Sequence, residues 1–337
     1  MSDHNPPPAE SSVLPRVSVV IPTYRRRAAL ARFVEPLLED PELYELVVAV
    51  DGSEDGSVEW LRERGLADQR LVVLDLPNRG AGATRQAGIE AASGDVVLLM
   101  DDDVIASPGL VAGHARHHID AERKLVLGYM PNDWSSLPAG RRGIARIYDR
   151  AYHMHVARFS EDPQFVLHGF WGGNFSMRRH DMLEIGIERL EVKRGQDDRE
   201  FGIRCLKAGI QPVFDPSLHA THEYSRSLSQ YRRDMRVQGE SRELIHLAHG
   251  DLLGEELVRE AQGSEVEDAV GQGLPRALRW FWPLLARDPV FPIIGAALSA
   301  LFRLGVRVHW LGLEVLAARG LGSLETQRGV LERRAQA

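Results

Sequence analysis

Short apolar runs separated by turn residues dominate the first hundred residues of the chain. The runs are rich in β-branched residues and too short for isolated helices, which is typical of buried strands. Helical stretches lie between the runs, so that strand, turn and helix alternate four times. This alternation predicts a doubly wound, mostly parallel α/β sheet with helices on both faces. The predicted strands are Val17–Ile21, Leu46–Val50, Leu71–Leu74 and Val96–Met100, with helices over Ala28–Leu38 and from Gly80 to about Ala92.

The middle of the chain continues the same kind of pattern with less regularity. We expect two further strands here, because two more short apolar runs are flanked by turn residues. Two helices are also expected, and the second one has acids in its first turn. The strands are Leu125–Met130 and Pro212–Phe214, and the helices are Ala139–Phe159 and the stretch from Gly195 to Lys207.

The two ends of the chain differ from this centre. Residues 1–15 are polar and proline-rich, which predicts a disordered leader. Residues 250–274 are acidic and polar and are predicted to be a linker, after which residues 275–337 become apolar. The longest uncharged run there, Pro289–Phe302, is 14 residues long, whereas a spanning helix needs about 20. Recurring arginines and tryptophans suit helices in a membrane interface. The alternative is a helical extension that packs on the rest of the protein or on a homodimer partner.

Composition narrows the functional classes. The chain of 337 residues is 44% hydrophobic and 26% charged, which is ordinary for a globular protein. A net charge of −7 argues against nucleic acid as a partner, because such binders rely on a basic field. The single cysteine, Cys205, cannot form an intrachain disulfide. Together with the lack of a secretory signal, this predicts a cytoplasmic location.

Three consecutive acids, Asp101, Asp102 and Asp103, follow the fourth strand. Open α/β sheets bind their ligands at the carboxyl ends of strands. If the chain stays extended, side chains alternate, so Asp101 and Asp103 would point the same way. Two carboxylates on one side could share Mg²⁺ or Mn²⁺ completed by substrate phosphates. The competing interpretation is a solvated acidic turn or a helix N-cap before Ser107-Pro108.

Other candidate residues lie after the second strand and in the middle of the chain. Asp51 is expected to hydrogen-bond a ribose or base, or else to be a turn residue before Gly52. Arg85 could face a phosphate or be an ordinary exposed helical arginine. The segment Trp171-Gly172-Gly173-Asn174 offers an aromatic face for a sugar ring, close backbone approach and an amide, or else it is a tight turn in a core strand. No glycine-rich phosphate loop follows the first strand, which weakens dinucleotide and ATPase interpretations.

Four motifs, taken in order and spacing, resemble the inverting family 2 glycosyltransferases of the GT-A fold. They are VSVVIPTYRR, VVAVDGSEDGS, NRGAGATRQAGI and the DDD turn, and the likeness covers roughly residues 16–245. The resemblance implies a catalytic domain over residues 16–249, with a nucleotide-binding half at about 16–105 and an acceptor half at about 106–249. Where the family has Asp-Asp-Gly-Ser, this chain has Val50-Asp51-Gly52-Ser53, and Asp197 replaces a glutamate of the family.

The resemblance also implies a role for each matching residue. Asp198 aligns with the catalytic base, and a carboxylate suits the removal of a proton from an acceptor hydroxyl. The implied metal ligands are Asp103, His222 and Asp101. The implied nucleotide-binding residues are Pro22, Thr23, Tyr24, Arg25, Asp51, Arg85, Asp101 and Asp102. The implied sugar or acceptor residues are Trp171, Gly172, Gly173, Asn174 and Asp197.

The function expected from this resemblance is a metal-dependent, inverting transfer of a hexose. The donor would be a UDP- or GDP-linked sugar, the metal Mn²⁺ or Mg²⁺, and the acceptor a glycan or a lipid-linked molecule at the inner face of the cell membrane. Two other classes compete. A nucleotidyltransferase on a related fold would release pyrophosphate, and a non-catalytic module would bind a nucleotide sugar without hydrolysing it.

Overall fold

The structure is a computed structural model that describes residues 13–135, 137–187, 196–250, 286–287, 290–307 and 311–336. The expected leader up to residue 12 therefore lies outside the described residues. The same holds for Gly195, for residues 251–274 of the expected linker and for residues 275–285, where the expected extension begins.

Eight strands form the centre of the protein in the order β3-β2-β1-β4-β7-β6-β8-β5. Strands β1 to β4 pair in parallel, and β6 pairs in parallel with β8. Strand β7 is antiparallel to both β4 and β6, and β5 is antiparallel to β8. The strands are β1 Val17–Thr23, β2 Leu43–Asp51, β3 Leu71–Leu76, β4 Val96–Met100, β5 Val104–Ala106, β6 Lys124–Tyr129, β7 Asn174–Arg178 and β8 Gln211–His222.

Helices cover both faces of this sheet. Alternate residues of a central strand point to opposite faces, so Val19 of β1 joins one apolar cluster while Val20 joins the other. The expected doubly wound, mostly parallel sheet with a helical C-terminal part is thus confirmed. The helices are α1 Leu30–Leu38, α2 Ser57–Ala67, α3 Ala81–Ala91, α4 Leu110–Arg116, α5 Ala139–Glu161, α6 Phe165–His168, α7 Arg179–Ile185, α8 Asp197–Lys207, α9 Leu228–His249, α10 Val290–Arg307 and α11 Leu311–Arg334.

Several strand boundaries differ from the sequence-based expectation. Strand β1 continues through Pro22 to Thr23, paired with β2. Strand β8 runs on to His222, far beyond the expected end at Phe214, although Pro216 interrupts its sequence pattern. Strand β5 is absent from the expected elements, and β7 corresponds only to the alternative of a core strand at the Gly-Gly segment. The antiparallel β7 matters most, because it pairs Asn174 with Met100 and so brings the Gly-Gly segment beside the acidic turn.

The C-terminal helices pack on α9. The buried Glu325 of α11 accepts hydrogen bonds from Arg232 at 2.7 Å and from Arg236 at 2.6 and 2.9 Å. Glycines allow the two backbones to approach closely, since a Cβ on Gly239 would collide with Thr326 and one on Gly329 with Arg236. The basic face of α9 therefore binds the extension.

Helix α10 has one face that is buried and one that is exposed. Ser299 and Phe302 are buried, whereas Ile293 is 69% and Leu304 is 50% exposed. Among the described residues, α10 is one helix whose length of 18 residues and mean hydropathy of 1.5 would suffice to cross a membrane. Core helices of soluble proteins can have the same length and composition, so these two properties do not establish a span.

Candidate active site

The three acids form a turn rather than a continuation of the strand. Strand β4 ends at Met100, and the Val104 N–H donates to the Asp101 carbonyl at 3.1 Å, which closes a turn over the acids. The alternation expected of an extended chain is therefore wrong for these residues. Asp101 bonds to Arg85, Asp102 to Thr23, and Asp103 to His222. The three acids thus contact three different segments, which are helix α3, the end of β1 and the end of β8.

Asp102 ties the turn to the end of β1. Its Oδ2 accepts from the Thr23 hydroxyl at 2.8 Å and from the Tyr24 N–H at 3.4 Å. Burial raises the pKa of Asp102 to about 6, against the lowering effect of the nearby Arg26. Tyr24 is 40% exposed, and Arg25 adopts a positive φ of 54° that aims its N–H at Ser53. The end of β1 is thus held against the acidic turn, and Arg25 is held against the loop at Ser53.

Asp103 and His222 meet in a buried contact. His222 Nε2 lies 3.1 Å from Asp103 Oδ1, and the Arg26 guanidinium donates to the other oxygen, Oδ2, at 2.8 Å. Burial alone would raise the pKa of Asp103. The contacts with His222 and Arg26 outweigh burial, and the pKa lies well below its ordinary value. This carboxylate is held in its charged form.

Arg85 joins the acidic turn to the start of helix α8. Its guanidinium donates to Asp101 Oδ1 at 2.7 Å and to Asp197 Oδ2 at 2.8 Å, and its side chain is only 12% exposed. Burial would lower the pKa of Arg85, but the charges of Asp101, Asp197 and Asp198 raise it above its ordinary value. The buried guanidinium therefore carries a permanent positive charge between the two acidic segments.

Asp198 lies beside this bridge in a different electrostatic setting. Burial, followed by repulsion from Asp197, raises the pKa of Asp198 to about 7, although the charge of Arg85 opposes the shift. Its Oδ2 accepts from the Gly172 N–H at 3.1 Å. A carboxylate with a pKa near 7 is suited to accept a proton at neutral pH.

The two glycines after Trp171 allow the backbone to lie against these acids. A Cβ on Gly172 would be 2.9 Å from Asp198 Oδ1. Gly173 has a φ of +112°, and a Cβ there would lie 3.0 Å from Asp101 Oδ2. The lack of a side chain at both positions thus lets the backbone lie directly against the carboxylates of Asp198 and Asp101.

The side chains of Asn174 and Asp51 form hydrogen bonds within the protein. Asn174 is fully buried, with its Nδ2 donating to the Leu218 carbonyl at 3.0 Å and its Oδ1 3.0 Å from His114 Nε2. Both oxygens of Asp51 accept backbone N–H groups, from Arg79 at 2.7 Å and from Gly80 at 3.0 Å. These bonds hold strand β7 and the turn before α3 in place.

Trp171 lies in an aromatic group on the far side of His222. Its Nε1–H donates to the Tyr148 hydroxyl at 2.9 Å, and that hydroxyl lies 3.0 Å from His222 Nδ1. Tyr148 and Arg26 are the site residues that sequence reasoning did not assign. Tyr148 lies in the long helix α5 without any motif. Arg26 ends the motif VSVVIPTYRR, but no local feature distinguishes it from the neighbouring Arg25 and Arg27.

The donor atoms at Asp103 and His222 suit a hard or intermediate divalent cation. Within the described part of the chain, no group of three or more His, Cys, Asp or Glu side chains converges. Two ligands from the protein are sufficient where phosphate oxygens of a substrate supply the others, as is usual for Mg²⁺. Asp103 Oδ1 and His222 Nε2 therefore fit such a metal, whereas Asp101 faces Arg85.

The chain is similar to several known proteins. Residues 18–185 match the family described as glycosyl transferase family 2. The chain is 28% identical over 183 residues to the uncharacterized glycosyltransferase YfnE of Bacillus subtilis, covering 53% of this chain and 41% of that protein. It is 38% identical over 129 residues to the validoxylamine A glucosyltransferase of Streptomyces hygroscopicus, covering 36% and 28%. The chain thus spans less than half the length of either relative.

A solved structure shares the fold. The mannosyltransferase PcManGT from Pyrobaculum calidifontis, in complex with GDP-Man and Mn²⁺, superposes with a TM-score of 0.60 at 14% identity. The superposition covers 93% of this chain and 86% of that one. The match over residues 18–185 places the chain among the glycosyltransferases. The chain belongs to glycosyltransferase family 2.

Proposed function

We propose that this enzyme transfers a hexose, with inversion, from a nucleotide-diphosphate sugar to a hydroxyl group of an acceptor. The observation that carries the proposal is the presence of two aspartates in opposite electrostatic settings, on two acidic segments that Arg85 joins. Asp103 is held charged beside His222, and the pKa of Asp198 is raised to about 7. The first arrangement suits the binding of a cation and the second suits the acceptance of a proton.

Asp198 is the proposed base. Its Oδ2 is engaged by Gly172, so Oδ1 is the oxygen assigned to the acceptor hydroxyl. The hydroxyl proton passes to Asp198 while the acceptor oxygen forms a bond to the anomeric carbon. The bond from that carbon to the diphosphate oxygen breaks with its electron pair leaving on the diphosphate. Attack from the face opposite the leaving group inverts the configuration and needs no enzyme nucleophile.

Asp103 and His222 are the proposed ligands of Mn²⁺ or Mg²⁺. Such an ion, when bound, stabilises negative charge on a departing diphosphate as a Lewis acid. Arg26 already compensates the charge of Asp102 and Asp103, with its Nε 3.3 Å from Asp102 Oδ1. Because its side chain is 33% exposed, Arg26 can turn toward phosphate oxygens when a donor enters. The donor is proposed to carry UDP or GDP, and GDP-Man in the similar structure supports this class of ligand.

The reaction type is tested by identifying the products. Purified enzyme with a panel of UDP- and GDP-hexoses and Mn²⁺ should release nucleoside diphosphate, slowly to water and faster to a suitable acceptor. Chelation by EDTA should stop the release, and Mn²⁺ or Mg²⁺ should restore it. Release of pyrophosphate from a nucleoside triphosphate would instead establish a nucleotidyltransferase. Binding of nucleotide sugars without any turnover would establish a non-catalytic module.

The acceptor is proposed to be a glycan or lipid-linked molecule reached from an anionic membrane surface. The exposed face of α10 supports this, because it carries the apolar Ile293 and Leu304 together with the exposed Arg303 and Arg307. Apolar side chains can enter the interface while arginines pair with lipid phosphates.

Vesicle flotation tests the surface directly. Wild type should float with vesicles containing anionic lipid, less so at high salt, and the double variant Ile293→Glu, Leu304→Glu should not. Leu66→Glu is a matched control, since Leu66 of α2 is an apolar residue that is 88% exposed. Equal flotation of the double variant and wild type would exclude this face as the docking surface.

A further inference from the structure

Four side chains form a continuous series of hydrogen bonds across the site. Trp171 Nε1–H donates to the Tyr148 hydroxyl at 2.9 Å, and the hydroxyl lies 3.0 Å from His222 Nδ1. The other nitrogen of that ring, Nε2, lies 3.1 Å from Asp103 Oδ1. The series therefore runs from the Gly-Gly segment beside Asp198 to the acidic turn.

Packing fixes the Tyr148 ring in the middle of this series. Its ring stacks on Tyr224 with centroids 3.9 Å apart and planes inclined by 13°. The rings of Trp171 and His222 meet it edge-on, with centroids at 5.1 and 5.2 Å. Burial raises the pKa of Tyr148 well above its ordinary value, so the hydroxyl keeps its proton. A rigid, neutral hydroxyl is thus presented to both neighbours.

We propose that Tyr148 is a positioning residue whose hydroxyl orients both His222 and Trp171. This inference rests on the proposed function, in which His222 binds the metal. An imidazole held only through Nε2 can rotate about its own side-chain bonds. A partner on Nδ1 fixes the ring plane, and outer partners of this kind are worth about 10- to 100-fold in metal affinity.

The shared hydroxyl has a second consequence. A phenolic oxygen offers one donor and a limited number of acceptor directions, so a change in the hydrogen bond to His222 must alter the one to Trp171. Metal binding at His222 is thereby linked to the environment of the Trp171 ring. Trp171 also meets Tyr152 and His155 edge-on, and these contacts keep the ring in place while the hydrogen bond from its Nε1–H to Tyr148 changes.

The substitution Tyr148→Phe tests the hydroxyl without removing the stacked ring. Binding of Mn²⁺ is measured in the full-length protein by the electron paramagnetic resonance signal of the free ion, alone and with GDP or UDP. The expected result is a weakening of Mn²⁺ binding by about 10- to 100-fold. Tyr152→Phe is the matched control, because its hydroxyl accepts the Met130 N–H at 2.8 Å and touches neither His222 nor Asp103 in the described structure.

A second measurement follows the tryptophan. Titration with diamagnetic Mg²⁺ should change the fluorescence of wild type and Tyr152→Phe, and the change should disappear in Trp171→Phe and Tyr148→Phe. Circular dichroism checks that both tyrosine variants are folded. If Tyr148→Phe binds Mn²⁺ within twofold of wild type while His222→Ala loses binding, the role of Tyr148 is overturned and the metal site stands. If neither variant changes binding, the metal assignment of His222 itself fails.

Discussion

The two ends of the site are the acidic turn and the start of α8. Each end places a buried aspartate in an opposite electrostatic environment. At one end, Asp103 is buried against His222 and Arg26, and its pKa lies well below the ordinary value. At the other, Asp198 is buried against Asp197, and its pKa is raised to about 7. Arg85 lies between the two ends and bonds to acids of both segments.

This difference shows how position decides the chemistry of a carboxylate. A charged partner in contact keeps Asp103 ionised, which suits a ligand of cations. Burial next to a second acid leaves Asp198 close to its point of half-protonation at neutral pH, which suits a proton acceptor. Enzymes often use pairs of carboxylates with separated pKa values in two different chemical roles. The following substitutions test whether Asp103 and Asp198 have such separate roles.

The largest effect is expected for Asp198→Asn. Loss of a general base costs about 10²- to 10⁴-fold in rate, so kcat should fall by that factor while Mn²⁺-dependent donor affinity, measured by calorimetry, stays within about threefold. Since the amide carries no buried charge, thermal stability above pH 7 should not fall. Asp197→Asn is the control, and a larger loss of turnover in that variant would move the base assignment to Asp197.

The substitution Asp103→Ala tests the end of the site that is proposed to bind the metal. Removing a direct ligand should weaken metal-dependent donor binding by at least the roughly 100-fold that loss of an outer partner can reach. Calorimetry with Mn²⁺ measures the loss. Asp102→Asn should be milder, because Asp102 contacts Thr23 and Tyr24 rather than His222. Equal donor affinity in wild type and Asp103→Ala would remove Asp103 from the metal site.

The pH dependence of kcat/KM separates the two carboxylates within the wild type. Asp198 must be deprotonated to act as a base, so activity should fall about tenfold per unit as pH drops below about 7 and level off above it. Asp103 should add no further acidic limb between pH 5 and 9, since its pKa lies far lower. A profile that is flat from pH 5 to 9, or the same profile in Asp198→Asn, would contradict the assignment.

Arg85→Met should produce the smallest of these changes. Without the guanidinium, the pKa of Asp198 should rise by about 1 to 2 units, so the acidic limb should move to higher pH and activity at pH 7 should drop by about tenfold or more. Raising the pH to 9 should recover part of the loss, and metal affinity should change little. Arg79→Met is the control, because Arg79 is exposed and, among the described residues, its contact with an acid is made by its backbone N–H. An unshifted limb would show that Arg85 acts by packing alone.

Much of this arrangement could be predicted from the sequence, because strands β1, β2 and β4 are short apolar runs and their loops carry the motifs. The directions in which the three acidic side chains point could not be predicted. Their splaying depends on a turn closed by Val104 and on partners distant in sequence, such as Arg85 and His222. The same holds for Asn174, whose polar side chain is satisfied inside the sheet by His114 and Leu218. Tertiary contacts decided these details, and a local pattern does not encode them.

The backbone contact between α9 and α11 has a practical consequence for anyone who wishes to produce a smaller enzyme. Cutting the chain after residue 250 would leave Arg232 and Arg236 without Glu325 and would expose Gly239 where Thr326 now lies. Helix α9 follows closely after His222 at the end of β8, so disorder in α9 would spread to the histidine. A shortened enzyme would therefore have to carry α11, or an engineered replacement for its contacting face, in order to stay active.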